Sequence, residues 1–348
     1  MQKILTPELS VIVTAYNNEK YVQECLDSIL AQTFTDYEII VVDAGSKDKT
    51  AQICHSYSEK YTNITVVDFH PDGPAASRNE GMKYASGKYI TFVDGDDVID
   101  KEMYSTLIAQ MEAENLDAVY CTCYRFFNDD INNRSVRNIA EISAYTKEEI
   151  RNNIILPIVS NLGAGVEVTG SMCMSVYRKS IIDANALKVR NMSEIYSEDN
   201  FFNIEYLSHS ERAKALNIPF YYYRKTAGSI SNIVHDYTVP ALKNFEKEVC
   251  AIGEKLGIPV EETSRRCNVR FVVQFSAVVK KKIDSLSLAD VKKWLKATTE
   301  NNNLDFSFTK EDLSCVEFQV KLFWILLQYR LYTPLYLLVK IYSRFIAR

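Results

Sequence analysis

The sequence predicts an α/β protein with a mostly parallel central sheet, followed by a helical C-terminal region. Two observations carry that expectation. Short runs rich in valine and isoleucine alternate with helical patterns through the first 120 residues, as in a parallel sheet covered by helices. From about Asp236 onward the strand signals stop and long amphipathic segments replace them. A chain of 348 residues with 47% hydrophobic content fills two ordinary domains, or one large domain with an appendage.

The elements follow in order. Leu9 to Thr14 reads as the first strand, and Val22, Cys25, Leu26, Ile29 and Leu30 then fall on one helical face behind the caps Asn17 and Asn18. Glu38 to Asp43 is the second strand, which completes a βαβ unit. A second helix starts near Asp48 and leads to the strand Ile64 to Phe69. A third starts near Pro74, where proline suits the first turn and Ala75, Ala76 and Ala85 favour continuation. Tyr89 to Asp94 and Ala118 to Tyr124 are the remaining strands. Right-handed crossovers put the helices on the sheet faces, so ligands belong outside the carboxyl ends of the strands, in the loops after Thr14, Asp43, Phe69 and Asp94. A boundary falls near residue 235, beyond which Val239 to Leu256, Cys267 to Ile283 and Leu288 to Thr298 read as helices. No internal repeat or low-complexity tract interrupts the chain.

Charge and cysteine usage exclude several classes of function. The net charge is -5, and no basic stripe interleaved with aromatics occurs in the first two-thirds, so nucleic acid is not an expected partner. Eight cysteines are scattered, with one Cys-x-Cys at Cys121 and Cys123, and none has zinc-site or redox spacing. They read as reduced and mostly buried. Met1 to Ser10 holds Lys3 but no apolar core and no small-residue cleavage site, so the expected location is cytoplasmic.

Three constellations carry chemistry. In Phe92-Val93-Asp94-Gly95-Asp96-Asp97 an apolar strand runs into three carboxylates around a glycine. Such a group repels itself unless a cation neutralises it, and Mg²⁺ or Mn²⁺ is held by one or two carboxylates plus substrate phosphates. The plain alternative is a polar turn in which Asp96 or Asp97 caps the next helix. The second constellation joins Thr14-Ala15-Tyr16-Asn17-Asn18-Glu19 to Asp43-Ala44-Gly45-Ser46 at the end of the next strand. A tyrosine that stacks on a base, carboxylates that accept from base or ribose, and a helix N-terminus together hold a nucleoside. Ordinary capping by Asn17 and Ser46 is the alternative there. The third is Tyr196-Ser197-Glu198-Asp199-Asn200-Phe201-Phe202, preceded by "GSMCMSVYRKSII".

The stretch "LSVIVTAYNNEKYVQECLDSILAQTFTDYEIIVVDAGSKDKT", followed by "GPAASRNEGMKYASGKYITFVDGDD", resembles the nucleotide-sugar half of glycosyltransferase family 2, of the bacterial surface-polysaccharide type and with the GT-A fold. The match covers nearly all of the first 120 residues. The resemblance implies a metal-dependent, inverting hexosyl- or N-acetylhexosaminyltransferase that takes Mn²⁺ or Mg²⁺. Its partners are a nucleotide-sugar donor, UDP-linked by first choice, and a saccharide acceptor, lipid-linked in surface polysaccharide or capsule synthesis. By the same resemblance Asp94-Gly95-Asp96 is the Asp-x-Asp motif, with Asp96 the metal ligand and Asp94 near ribose and metal. Thr14, Tyr16, Asn17, Glu19, Asp43 and Arg78 line the donor site. Where the family often has Asp-Asp-Gly-Ser, this chain has Asp43-Ala44-Gly45-Ser46, so the second carboxylate is absent and part of its role falls to Asp43. Asp199 is the implied base, with Glu198 a neighbour that raises its pKa by repulsion. A solvated helix start with acids near the positive dipole end is the alternative for that pair. "YYYRKTAGSISN" resembles the segment that closes over the donor diphosphate, which gives roles to Arg224, Ser229 and Ser231. His235 stays an ordinary residue.

The expected organisation is a GT-A catalytic domain over 1–235, divided into a nucleotide-sugar half (1–125) and an acceptor half (126–235), and a helical region over 236–348. Two other functions compete. A sugar-phosphate nucleotidyltransferase needs a glycine-rich, basic loop after the first strand, and Thr14 to Glu19 offers none. A non-catalytic nucleotide-sugar-binding protein of the same fold has no need of Asp94, Asp96 and Asp199 together. The segment Val316 to Arg348 is basic, with Lys321, Arg330, Lys340, Arg344 and Arg348 against Glu317, and its apolar runs are too short to span a bilayer. Trp324 and its tyrosines suit a helical pair at the inner face of the cell membrane, and a lid or homodimer face is the alternative. A truncation ending near Asp312 is expected to stay folded under the membrane reading.

Overall fold

The computed structural model describes residues 6–70, 73–127, 130–162, 168, 170–225, 234–302, 304 and 309–346. The chain divides into two compact units. The first holds Met1–Ile158, Val166–Met192 and Ser197–Ala227, and the second holds Val159–Gly165, Ser193–Tyr196 and Gly228–Arg348.

The first unit is built on one sheet. Strands β1 (Leu9–Ala15), β2 (Tyr37–Asp43), β3 (Ile64–Asp68) and β4 (Tyr89–Asp94) are parallel neighbours in the order β3-β2-β1-β4. Between them run α1 (Val22–Leu30), α2 (Thr50–Lys60) and α3 (Pro74–Tyr84). Val22, Cys25, Leu26 and Ile29 are the buried face of α1, as their spacing predicts. Gly81 lets α3 press onto the sheet, because a Cβ there would meet Ile12 Cγ2 at 2.5 Å. After β4 come β5 (Val98–Ile99), α4 (Met103–Ala113), β6 (Ala118–Phe127), β7 (Asp130–Val136) and β8 (Ile142–Ala144). The short helices α5 (Lys147–Ile150) and α6 (Leu156–Val159) flank a π-turn, and β9 (Ser175–Arg178), α7 (Lys179–Asn185), α8 (Glu198–Ser208) and β10 (Ala213–Lys225) follow.

The remainder of the sheet is mixed. β9 lies antiparallel between β4 and β6, β10 lies parallel to β6, and β5 pairs antiparallel with the end of β10. Pro219 sits at a register shift in β10, where a missing N–H is tolerated. The chain winds outward from β1 through β2 to β3 and then crosses to β4 on the other side of β1. At such a reversal of strand order, between the carboxyl ends of β1 and β4, doubly wound sheets place their ligand crevice.

The second unit contains α9 (Thr238–Lys255), α10 (Val260–Ser285), α11 (Leu288–Asn301), α12 (Lys310–Ser314), α13 (Phe318–Gln328) and α14 (Tyr332–Ile346). α10 begins at Val260, seven residues ahead of the expected Cys267, because its first two turns are mostly polar and carry Glu261 and Glu262 at the favourable dipole end. The core joins Val272, Phe275 and Val279 of α10 to Leu295 of α11, Trp324 and Leu327 of α13, and Leu335 of α14. The expectation that Trp324 serves a membrane interface is corrected here. Trp324 is 1% exposed, and its Nε1 donates to the Val272 carbonyl at 3.1 Å and to Ser276 Oγ at 2.9 Å. Among the described residues no helix is long and apolar enough to cross a membrane.

Candidate active site

The site is assembled at the crevice where β1 and β4 end. Thr14 and Asp94 are register partners across these strands, and Thr14 Oγ1 donates to Asp94 Oδ1 at 3.1 Å. Gly95 then turns the chain against β1: its N–H donates to the Thr14 carbonyl at 2.9 Å, and a Cβ would stand 3.0 Å from that oxygen. This close turn sets a half-buried Asp96 beside Asp94. Burial, and next the Asp94 charge, push the Asp96 carboxyl up to about 6.

Arg78, on α3, is the centre of the arrangement. Its Nη2 donates to Asp94 Oδ1 at 3.0 Å, and its Nη1 donates to Asp199 Oδ1 at 3.2 Å. Glu198 Oε1 lies 3.7 Å from the same Nη1. Burial works against the guanidinium charge, but Asp199, Asp94 and Glu198 outweigh it and hold the Arg78 pKa well above its ordinary value. One buried cation thus joins the carboxylate at the end of β4 to the acid pair that opens α8.

α8 is fixed in place by aromatic packing and a buried amide. Phe202 packs edge-on against Phe92 at 6.4 Å and Tyr177 at 5.6 Å, and Tyr206 against Tyr177 at 4.9 Å. Asn203, fully buried, donates to the carbonyls of Gly170 and Asp199 and accepts from the Tyr177 hydroxyl. Ser197 precedes the helix with φ +60, a left-handed conformation that costs a non-glycine residue about 1–3 kcal/mol and is concentrated at functional sites. Burial, and then the Asp199 charge, raise Glu198 from 4.5 to about 7, with Arg78 opposing. Burial raises Asp199 as well, against the pull of Arg78 and a hydrogen bond from the Met172 backbone.

The two loops expected to hold a nucleoside are laced together. Asn17 Oδ1 accepts from the Lys47 N–H at 2.8 Å, Asn17 N–H donates to Ser46 Oγ at 2.9 Å, and Glu19 Oε2 accepts from the Lys49 N–H at 3.0 Å. Asn17 and Glu19 therefore spend side-chain oxygens on the neighbouring loop. Asp43 is buried, and its Oδ2 accepts from the N–H groups of Gly45 and Ser46 while its Oδ1 accepts from Ser46 Oγ. Both oxygens shape their own turn. Tyr16 remains half exposed at 50%.

The guanidinium of Arg224, expected to meet donor phosphates, is buried over the Tyr21 and Phe126 rings, at 4.4 and 4.6 Å. There Nε donates to the Asp96 carbonyl at 2.8 Å and Nη2 to Glu24 Oε2 at 2.6 Å. Arg224 is thus a buttress of the Asp96 turn. Ser229 and Ser231 lie outside the described residues.

Two supports escaped sequence reasoning. Asp97 is 1% exposed, accepts from the Tyr221 hydroxyl at 2.7 Å and from the Arg224 N–H at 2.7 Å, and is pushed well up by burial, then by the charges of Asp96 and Asp94. The Tyr221 hydroxyl also accepts from the Asp94 N–H at 3.3 Å. From the sequence Asp97 is only an alternative cap alongside Asp96, whereas it ties β10 to the turn; Tyr221 opens the stretch "YYYRKTAGSISN" but has no role assigned in it. Among the described residues no three His, Cys, Asp or Glu side chains converge into a cage for a metal. The pair Asp94 and Asp96 offers oxygen ligands only, and the Asp94 charge raises the Asp96 carboxyl even though Arg78 pairs with Asp94, which fits a hard divalent cation completed by substrate phosphates.

Residues 10–185 match the family model described as Glycosyl transferase family 2, slightly more than half of the chain. The chain is similar to the "Uncharacterized glycosyltransferase EpsJ" of Bacillus subtilis, with 31% identity over 235 residues, 66% of this chain and 64% of the relative. It is also similar to "Glycosyltransferase GlyA" of Streptococcus pneumoniae, with 30% identity over 259 residues, 74% of this chain and 36% of the relative. The match thus spans less than two thirds of either relative's own length. Among solved structures it resembles S. aureus TarS 1-349 in complex with UDP, with TM-score 0.67 and 20% identity over 97% of this chain and 91% of the other. That likeness is one of fold, the GT-A type with a mixed central sheet and a helical C-terminal region.

Proposed function

Because the chain belongs to glycosyl transferase family 2, we propose that it moves a hexose or N-acetylhexosamine from a nucleotide sugar, UDP-linked by preference, to a saccharide acceptor with inversion. The acceptor in this reading is lipid-linked. The observation that carries the proposal is the Arg78 bridge, which holds the donor-side carboxylate Asp94 and the acid pair Glu198 and Asp199 around one cation.

A single displacement needs a group that accepts a proton as the nucleophile attacks. Asp199 takes the proton of the acceptor hydroxyl, the acceptor oxygen bonds to the anomeric carbon, and the bond to the nucleoside diphosphate breaks with its electron pair on the phosphate oxygen. Burial raises the basicity of Asp199, while Arg78 keeps its carboxylate oriented. Glu198 adds negative charge beside it. Mn²⁺ or Mg²⁺ held by Asp96 and Asp94 would neutralise the departing diphosphate. Tyr16 stacks on the base, Thr14 and Asp94 meet the ribose side, and Asn17, Glu19, Asp43 and Arg224 act by holding the loops in shape.

The test is calorimetric titration of the full chain with a panel of UDP-, GDP- and dTDP-sugars, with Mn²⁺ or Mg²⁺ and again with chelator, then NMR of the transferred anomeric centre. Metal-dependent binding of a UDP-sugar and an inverted product support the reading. Binding that ignores the metal, or a product of retained configuration, sinks it.

A further inference from the structure

The helical unit leaves large apolar side chains exposed on two neighbouring helices. Along α13, Phe318, Ile325 and Tyr329 recur at helical spacing and are 75%, 44% and 70% exposed. Along α14, Leu337 and Ile341 are 54% and 55% exposed. Both helices pack on α10 through Phe323, Trp324, Leu327, Leu335 and Val339, so the exposed side chains lie on the sides turned away from that core. Leu331, in the turn between the helices, is 45% exposed as well. Singly, exposed apolar residues are unremarkable, but a run of them across two adjacent helices marks a contact surface.

Charge selects what covers it. Residues 316–348 carry Lys321, Arg330, Lys340, Arg344 and Arg348 against the single acid Glu317, in a chain of net charge -5. Arg330 is exposed in the turn beside Tyr329 and Leu331, at a left-handed φ of +54. A two-fold contact between copies of this chain would bring the same basic patch against itself. An anionic leaflet instead supplies the opposite charge to bases and a burial site for the apolar stripe, with tyrosine at the headgroup level.

We propose that the outward face of α13 and α14 docks the protein on an anionic lipid bilayer, with Phe318, Ile325, Leu337 and Ile341 entering the headgroup boundary and Lys321 and Arg330 meeting lipid phosphate. This face is independent of the donor site, so it stands or falls apart from the transferase reading. It also replaces the truncation near Asp312 as a test, because that cut removes Trp324, Leu327 and Leu335 from the core of the unit.

Full-length protein is incubated with vesicles of phosphatidylcholine alone and of phosphatidylcholine with 30% phosphatidylglycerol, floated through a gradient at low and at 0.5 M salt, and its molar mass in solution is read by light scattering. Binding is expected to the anionic vesicles only and to fall with salt. Lys321→Glu with Arg330→Glu lowers the partition coefficient by tenfold or more, given about 1 kcal/mol per base at an anionic surface. Phe318→Gln with Ile325→Gln lowers it similarly, whereas Ile218→Gln, at an exposed position of β10, leaves it unchanged. Circular dichroism melts check that each variant is folded. Absence of binding at low salt overturns the proposal, as does binding that survives both double substitutions. A wild-type oligomer that Phe318→Gln with Ile325→Gln dissociates, without an effect on vesicle binding, assigns the face to self-association and overturns it too.

Discussion

Replacing Arg78 by Met tests the centre of the site. The guanidinium is almost wholly buried, at 5% side-chain exposure, and faces Asp94, Asp199 and Glu198 at 3.0, 3.2 and 3.7 Å. Its removal leaves three acids without their shared counter-charge, and breaking a buried pair costs about 3–5 kcal/mol. Asp94 and Asp199 retain 35% and 28% exposure, so water recovers part of that loss and about 3 kcal/mol is expected at pH 8. The loss should depend on pH. Glu198 has its folded-state pKa raised from 4.5 to about 7, so protons favour the folded state, and its unfavourable contribution grows as pH rises from about 5 to 8. At pH 6 Glu198 is mostly neutral, one of the three charges facing Arg78 is gone, and the cost of the substitution is smaller. Urea melts of wild type and Arg78→Met in chelator at pH 6 and 8 measure both quantities. A difference below 1 kcal/mol at pH 8, or an equal difference at the two pH values, would refute the account of Arg78 as the counter-charge of the acid pair.

Four further outcomes are expected. Asp96→Ala should abolish Mn²⁺- or Mg²⁺-dependent donor binding and transfer while its melt stays within about 1 kcal/mol of wild type, because the carboxylate serves no core contact; retained metal-dependent titration heat would remove it from the metal site. Asp199→Asn should keep donor affinity within a few-fold and lower turnover by about 10² to 10⁴; weakened binding with unchanged turnover per bound donor would make it a binding residue. Asp97→Ala should destabilise the fold by about 1–3 kcal/mol in urea, since it strands the Tyr221 hydroxyl and the Arg224 N–H, and a neutral result would contradict its buttressing role. Trp324→Ala should cost about 3–5 kcal/mol in the transition of the helical unit, as the loss of a fully packed ring does, and a cost under 1 kcal/mol would return this residue to the surface.

The residues that come together in the crevice were legible where a motif sat at a strand end. Asp94 and Asp96 follow an apolar run that can only be a buried strand, and Thr14 ends another, so their neighbourhood followed from the topology of alternating strands and helices. Partner allocation was not legible in the same way. Asp43, Asn17, Glu19 and Arg224 have the chemistry of ligand-binding groups, and in the fold each spends polar atoms on its own turn, a neighbouring loop or a helix. A residue type states which bonds a side chain can make, while packing states which of them are already made.

Local pattern therefore determined the βα alternation, the placement of Thr14, Asp94 and Asp96 at strand ends and the helical character of the C-terminal region, because periodicity and strand-end placement are properties of a few consecutive residues. Tertiary structure alone decided the rest. It inserted β9 antiparallel between β4 and β6, and it brought Arg78 to Asp199 across 121 positions of chain. It set Tyr221 against Asp97 across 124, and it buried Trp324 while leaving Phe318 and Tyr329 outside. Each of these depends on which surfaces meet when the chain closes on itself, and a contact of that kind leaves no trace in the spacing of neighbouring residues.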